Sequence, residues 1–135
     1  MTSDGVLDTN TLILTERLSP ADLPASPAIT AVTLAELAAG PSATTDPAEK
    51  ATREARLQRA EAAFEPLIFG TAAAKAYGAV AASMRRAGRK PAARAFDALI
   101  AATAIANNLP LYTCNPGDFQ GIDGLTVAAV PHPDR

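Results

Sequence analysis

Four carboxylates stand where they could share one chemistry: Asp8, Glu36, Asp97 and Asp118. Asp8 ends the apolar run Gly5-Val6-Leu7. Glu36 follows the β-branched stretch that closes at Val32. Asp118 lies in Asn-Pro-Gly-Asp, just beyond Leu111-Tyr112-Thr113. Asp97 sits in Arg-Ala-Phe-Asp-Ala-Leu-Ile-Ala-Ala, among neighbours so apolar that a charge there needs a reason. If the four converge, repulsion between two of them at about 4 Å is about 4 kcal/mol at an effective dielectric of 20. A divalent cation removes that cost. Hard oxygen ligands without a His or Cys cluster suit Mg²⁺ or Mn²⁺ and disfavour zinc. Such an ion lowers the pKa of bound water and offsets charge developing on a phosphodiester, the two demands of phosphate-ester hydrolysis.

Each acid also has an ordinary structural role open to it. Asp8 can cap a helix. Thr33-Leu34-Ala35-Glu36 has the form of a capping box, with Glu36 reaching back to the Thr33 amide. Asp97 can be a solvated helix residue, and Asp118 fits turn chemistry. Their joint placement on one edge of a sheet favours the shared site.

The elements that must position them follow from the apolar pattern. Gly5 to Leu7 predicts a strand and Thr9 to Leu14 a helix capped by Asp8 or Thr9. Ser19 to Pro27 is a surface connection rich in proline. Ala28 to Val32 predicts a second strand, followed by a short helix that stops at Gly40-Pro41. Thr44 to Ala63 predicts a long helix opened by Asp46-Pro47, with Leu57 and Phe64 on one face. Pro66 to Phe69 is a strand candidate, Thr71 a cap for a helix through Arg86, and Gly88 to Pro91 a break. Ala92 to Asn108 predicts a further helix; Leu111 to Thr113 and Leu125 to Val130 predict the last strands. Strands alternating with helices imply an α/β chain with a mostly parallel sheet covered on both faces, and ligands beyond the carboxyl ends of its strands.

Composition bounds the rest. A chain of 135 residues, 48% hydrophobic and 19% charged, fits one domain over residues 1–135, with 131–135 expected as a flexible tail. The single cysteine, Cys114, cannot form an internal disulfide, and the N-terminal segment lacks the charged start and apolar stretch of a secretory signal, so a cytoplasmic protein is expected. No segment approaches the ~20 apolar residues that cross a bilayer. A formal net charge of −2 excludes broad attraction to nucleic acid, so any such contact is local. The dense cationic run is Arg85, Arg86, Arg89 and Lys90 with Arg94; it reads either as a solvated helix end or as a grip on RNA phosphates.

Val6-Leu7-Asp8-Thr9-Asn10, Thr33-Leu34-Ala35-Glu36-Leu37, Phe96 to Ala104 and Leu111 to Phe119, in this order and spacing, resemble the PIN-domain family and within it the VapC-type ribonuclease toxins. The resemblance covers nearly the whole chain. It implies a three-layer α/β/α sandwich and a Mg²⁺- or Mn²⁺-dependent endoribonuclease whose acidic quartet is Asp8, Glu36, Asp97 and Asp118. Asp8 and Asp97 would hold the ion most directly, Glu36 and Asp118 directly or through water. Asn10, Thr113 and Asn115 would be supporting polar residues. Asn115 stands where some PIN nucleases carry an acid, which leaves the fourth carboxylate to Asp118. The resemblance also implies a structured RNA substrate such as tRNA or rRNA, a VapB-type antitoxin and a homodimer. A catalytically silent PIN-like module that binds RNA or protein is the alternative.

Overall fold

The computed structural model describes residues 4–135. Four strands, β1 (Asp4–Leu7), β2 (Ser26–Ala28), β3 (Leu111–Thr113) and β4 (Val127–Ala129), form a sheet in the order β2-β1-β3-β4. Every pairing is parallel. Five helices connect and cover it: α1 (Thr9–Ile13), α2 (Ala31–Ala39), α3 (Pro47–Ala63), α4 (Thr71–Arg86) and α5 (Ala95–Ala106). This is the α/β architecture expected from the alternation of strands and helices, with the sheet wholly rather than mostly parallel. Among the described residues, no helix is long and apolar enough to cross a membrane.

Alanine explains how the layers approach. On α5, Ala98, Ala101, Ala102 and Ala104 are fully buried with Ile100, and α4 brings Val80 and Met84 into the same cluster, as do Val6, Leu111 and Phe119 from the sheet and the turn after it. A second cluster joins Ile29, Leu37 and Ala60, with Leu12, Leu57 and Phe64 packed on it. The face of α3 that carries Leu57 and Phe64 therefore serves this core.

Several expected boundaries shift for local reasons. The second strand is Ser26–Ala28, not Ala28 to Val32, because the Thr30 hydroxyl accepts from the Thr33 amide at 3.1 Å and starts α2 at Ala31. Pro27 is tolerated because β2 is an edge strand. Pro66 to Phe69 gives only one parallel bridge, between Thr30 and Leu67. Thr71 is the first residue of α4 and Gly70 its uncapped N-terminus. The helix expected from Ala92 divides into a 3-10 turn (Pro91–Arg94) and α5, with Arg94 at the joint in a non-helical conformation, φ −127° and ψ 39°. Asn108, at φ 57°, supplies the left-handed residue that ends α5, and Leu109 N–H donates back to Ala104 at 3.0 Å.

At the other end of the chain, Arg17 pairs with Asp134, and the Arg135 guanidinium donates to Asn115 Oδ1 at 3.1 Å, so residues of the tail lie beside α1 and the loop after β3.

Gly5 is placed where a side chain has no room: a Cβ would lie 2.4 Å from the Tyr112 ring and 3.2 Å from Pro24 Cβ. Gly5→Ala must displace that ring or the β1 backbone, and urea unfolding should show a loss of about 1–3 kcal/mol.

Candidate active site

The site begins at the carboxyl end of β1. Asp8 is 4% exposed and uses both oxygens. Oδ1 accepts from the Thr11 amide at 3.2 Å, which makes Asp8 the N-cap of α1, and Oδ2 accepts from the Thr113 hydroxyl at 2.9 Å across to the end of β3. The Thr113 oxygen in turn accepts from the Asn115 amide at 2.9 Å, leaving its proton for Asp8. Capping and membership of the site are thus one arrangement. Thr11 adds a second tie, its hydroxyl accepting from the Cys114 amide at 3.0 Å. Burial is the largest cause that pushes the Asp8 carboxyl above its ordinary range, against the hydrogen bonds that lower it, with Asp118 adding repulsion.

Glu36 does not close a capping box. Thr30 caps α2, and Glu36, in the second turn, accepts from the Thr9 hydroxyl at 2.6 Å. Thr9 and Thr33 hydroxyls are 3.0 Å apart, so Thr9 links the starts of α1 and α2. By sequence alone Thr9 is no more than a cap candidate. Its position directly after an acid that ends a strand was the available signal. Asn10 is exposed on α1 and lines the same cleft as Thr9 and Glu36.

Asp97 lies in the first turn of α5, and Asp118 in the 3-10 turn Pro116–Phe119 after β3. Arg94 sits between them, donating to Asp118 Oδ1 at 2.7 Å and lying 3.9 Å from Asp97. Asp97 gathers the electrostatics of the whole site. Desolvation first, then Asp118, Asp8 and, more weakly, Glu36 raise its pKa from 3.8 to about 6, although Arg94 opposes them. The other three acids all lie in the field of Asp97, and Asp118 also in that of Asp8. Yet among the described residues no three acids, histidines or cysteines are drawn into a ready nest for an ion. The Arg94 ion pair accounts for part of that spacing, since Asp118 turns to the guanidinium. The donor set is oxygen only, and its openness fits an ion that keeps most of its water and takes one or two carboxylates.

The cationic run divides by role. Arg94 belongs to the acids. Arg89 donates to the carbonyls of Gln120 at 2.7 Å and Asp118 at 3.1 Å and so fastens the loop that carries Asp118. Arg86 pairs with Asp123 at 2.7 Å, whereas Arg85 and Lys90 are exposed.

Residues 6–125 match the family model described as PIN domain. The chain belongs to the PIN-domain family. The PIN segment spans the whole acidic set. Over 131 residues the chain is 37% identical to Ribonuclease VapC5 of Mycobacterium tuberculosis (strain ATCC 25618 / H37Rv), covering 93% of each. Among solved structures it is similar to VapBC-5 of M. tuberculosis, a member of the VapBC family of toxin–antitoxin systems (TM-score 0.82, 32% identity, 95% of this chain and 99% of that one). It is also similar to DNA-bound VapBC from Salmonella typhimurium (TM-score 0.68, 28% identity, 94% of this chain and 97% of that one).

The raised pKa has a consequence for stability. Asp97 is protonated in folded and unfolded chains alike below 3.8, ionises first in the unfolded chain as pH rises, and ionises in the fold only near 6. Its contribution is therefore fully present below 3.8 and lost as pH passes 6. In EDTA, Asp97→Asn should gain on the parent between pH 4 and pH 7, by no more than about 3 kcal/mol. Chemical unfolding of both proteins across that range checks it.

Proposed function

We propose that this PIN-domain chain is a metal-dependent endoribonuclease of VapC type, the toxin of a toxin–antitoxin pair, acting in the cytoplasm on structured RNA such as tRNA or rRNA. The observation that carries the reading is the convergence of Asp8, Asp97 and Asp118 in one electrostatic field, at the carboxyl edge of a parallel sheet. The 37% identity to a chain named a ribonuclease supports it.

Asp8 and Asp97 would hold Mg²⁺ or Mn²⁺, with Glu36 and Asp118 reaching it through water. The ion would supply Lewis acidity toward the phosphate and a more acidic bound water. The protein's own groups fix the geometry. Thr113 orients Asp8, Thr9 orients Glu36 at 2.6 Å, and Arg89 holds the Asp118 loop. Asn10 and Asn115 line the approach, and exposed Arg85 and Lys90 meet RNA phosphates beyond the acids. Water attack on the phosphodiester leaves a 5′-phosphate and a 3′-hydroxyl.

The groove between α1 and α3, about 380 Å³ and lined by Leu12, Ile13, Arg56, Arg59, Ala63 and Phe64, suits an amphipathic segment of a VapB-type antitoxin. The outer faces of α3 and α4 remain for a second copy in a homodimer.

Purified protein, freed of any antitoxin, is incubated with a total tRNA and rRNA pool in Mg²⁺ or Mn²⁺, beside an EDTA control and Asp8→Asn. Discrete fragments should appear only with the ion and the parent protein. Asn still caps α1, so the variant should stay folded while losing cleavage by at least about 100-fold, the upper end for groups that merely support a metal. A folded, metal-loaded parent that cleaves nothing would favour the silent binding module.

A further inference from the structure

Phe96 is 56% exposed, the most exposed of the chain's aromatic residues, although the chain has few aromatics to spend. The core takes Phe119 and packs Phe64 and Tyr77 at its margins. Phe96 contributes nothing to either cluster. It stands immediately before Asp97 on the first turn of α5, and it lines, with Glu36, Arg94 and Asp97, an open groove of about 340 Å³ whose remaining wall is alanine. A lone exposed apolar side chain is ordinary on a protein surface. One that shares a groove with two site carboxylates and a guanidinium is placed for a ligand with a flat apolar face and an anionic backbone.

We propose that Phe96 is a base platform: an unpaired base next to the cleaved phosphodiester stacks on its ring. The proposal rests on the endoribonuclease reading and adds a feature of the substrate, a base free of its helix at the cleavage point. The placement allows it. Ring and carboxylate line the same groove, so a nucleotide whose phosphate meets the site carries its own or its neighbour's base to the ring. Arg94, which lines the same groove, supplies a cation beside the ring. Stacking accepts any base but requires one that is unstacked from its neighbours. Within a double helix both faces of each base are covered by its neighbours, so an internal paired base cannot use the ring.

The chain contains no tryptophan, so Phe96→Trp places a single indole, excited apart from the two tyrosines, at the site. In EDTA, where no ion-dependent cleavage interferes, a short single-stranded oligoribonucleotide should quench its emission and the matched duplex should not. Phe96→Ala and Phe96→Leu, with melting temperatures near the parent's, should each weaken single-strand binding about 5- to 150-fold, the range of base–aromatic stacking. With Mg²⁺, KM should rise more than kcat falls. Equal quenching by duplex, parental affinity in Phe96→Leu, or a change confined to self-association or antitoxin binding overturns the proposal. Quenching without cleavage in Mg²⁺ would defeat the nuclease reading and leave the platform standing; cleavage without quenching would do the reverse.

Discussion

The constraint on which the structure turns is the mutual repulsion of carboxylates held at one edge of a sheet. Asp97 records it most clearly, because desolvation and three neighbouring acids together make its ionisation unfavourable. Such an arrangement costs stability in the bare protein. It persists because stronger local demands place each acid: Asp8 caps a helix, Glu36 is held by Thr9, and Asp118 is held by Arg94 and by the loop that Arg89 fastens.

Arg94 is the internal answer to that repulsion. Its guanidinium reaches Asp118 directly and Asp97 at the margin of ion pairing. Because these contacts are part exposed, their net contribution to stability is small, and the charge of the acids is only partly met. What remains is a hard, oxygen-rich, electronegative edge. Divalent cations with a tight water shell suit that environment better than soft or tetrahedral metals. The backbone helps, since Asp8 and Asp97 both stand in or beside the first turn of a helix, where the dipole favours negative charge.

The fold was legible because its signals are local and repeated. Apolar runs ending in an acid or a threonine mark the carboxyl ends of β1 and β3, and alanine at helical spacing marks α5 as the buried helix. Of the candidate site, Asp8, Glu36 and Asp118 stood out by following strands, and Asp97 by its apolar neighbours. Other features were hidden in side-chain choices that a linear reading cannot rank. Thr30 and Thr33 both resemble caps, and only the extended backbone at Thr30 selects it; with Thr30 chosen, Glu36 is released to Thr9. Arg94 reads as one more cation in a basic run until the non-helical joint before α5 turns it toward the acids. Phe96, apolar by type, lies outside the core, where the buried faces of α5 are already filled by alanine and Ile100.

A single cation site that includes Asp97, as proposed, would show itself in thermal unfolding against Mn²⁺ concentration. An ion bound only by the fold stabilises it by about 2.7 kcal/mol at a hundred times its dissociation constant. The melting temperature of the parent should climb steadily with Mn²⁺, and that of Asp97→Ala should stay flat over the same range. An equal climb in both proteins, or none in the parent, would mean that Asp97 is not part of such a site.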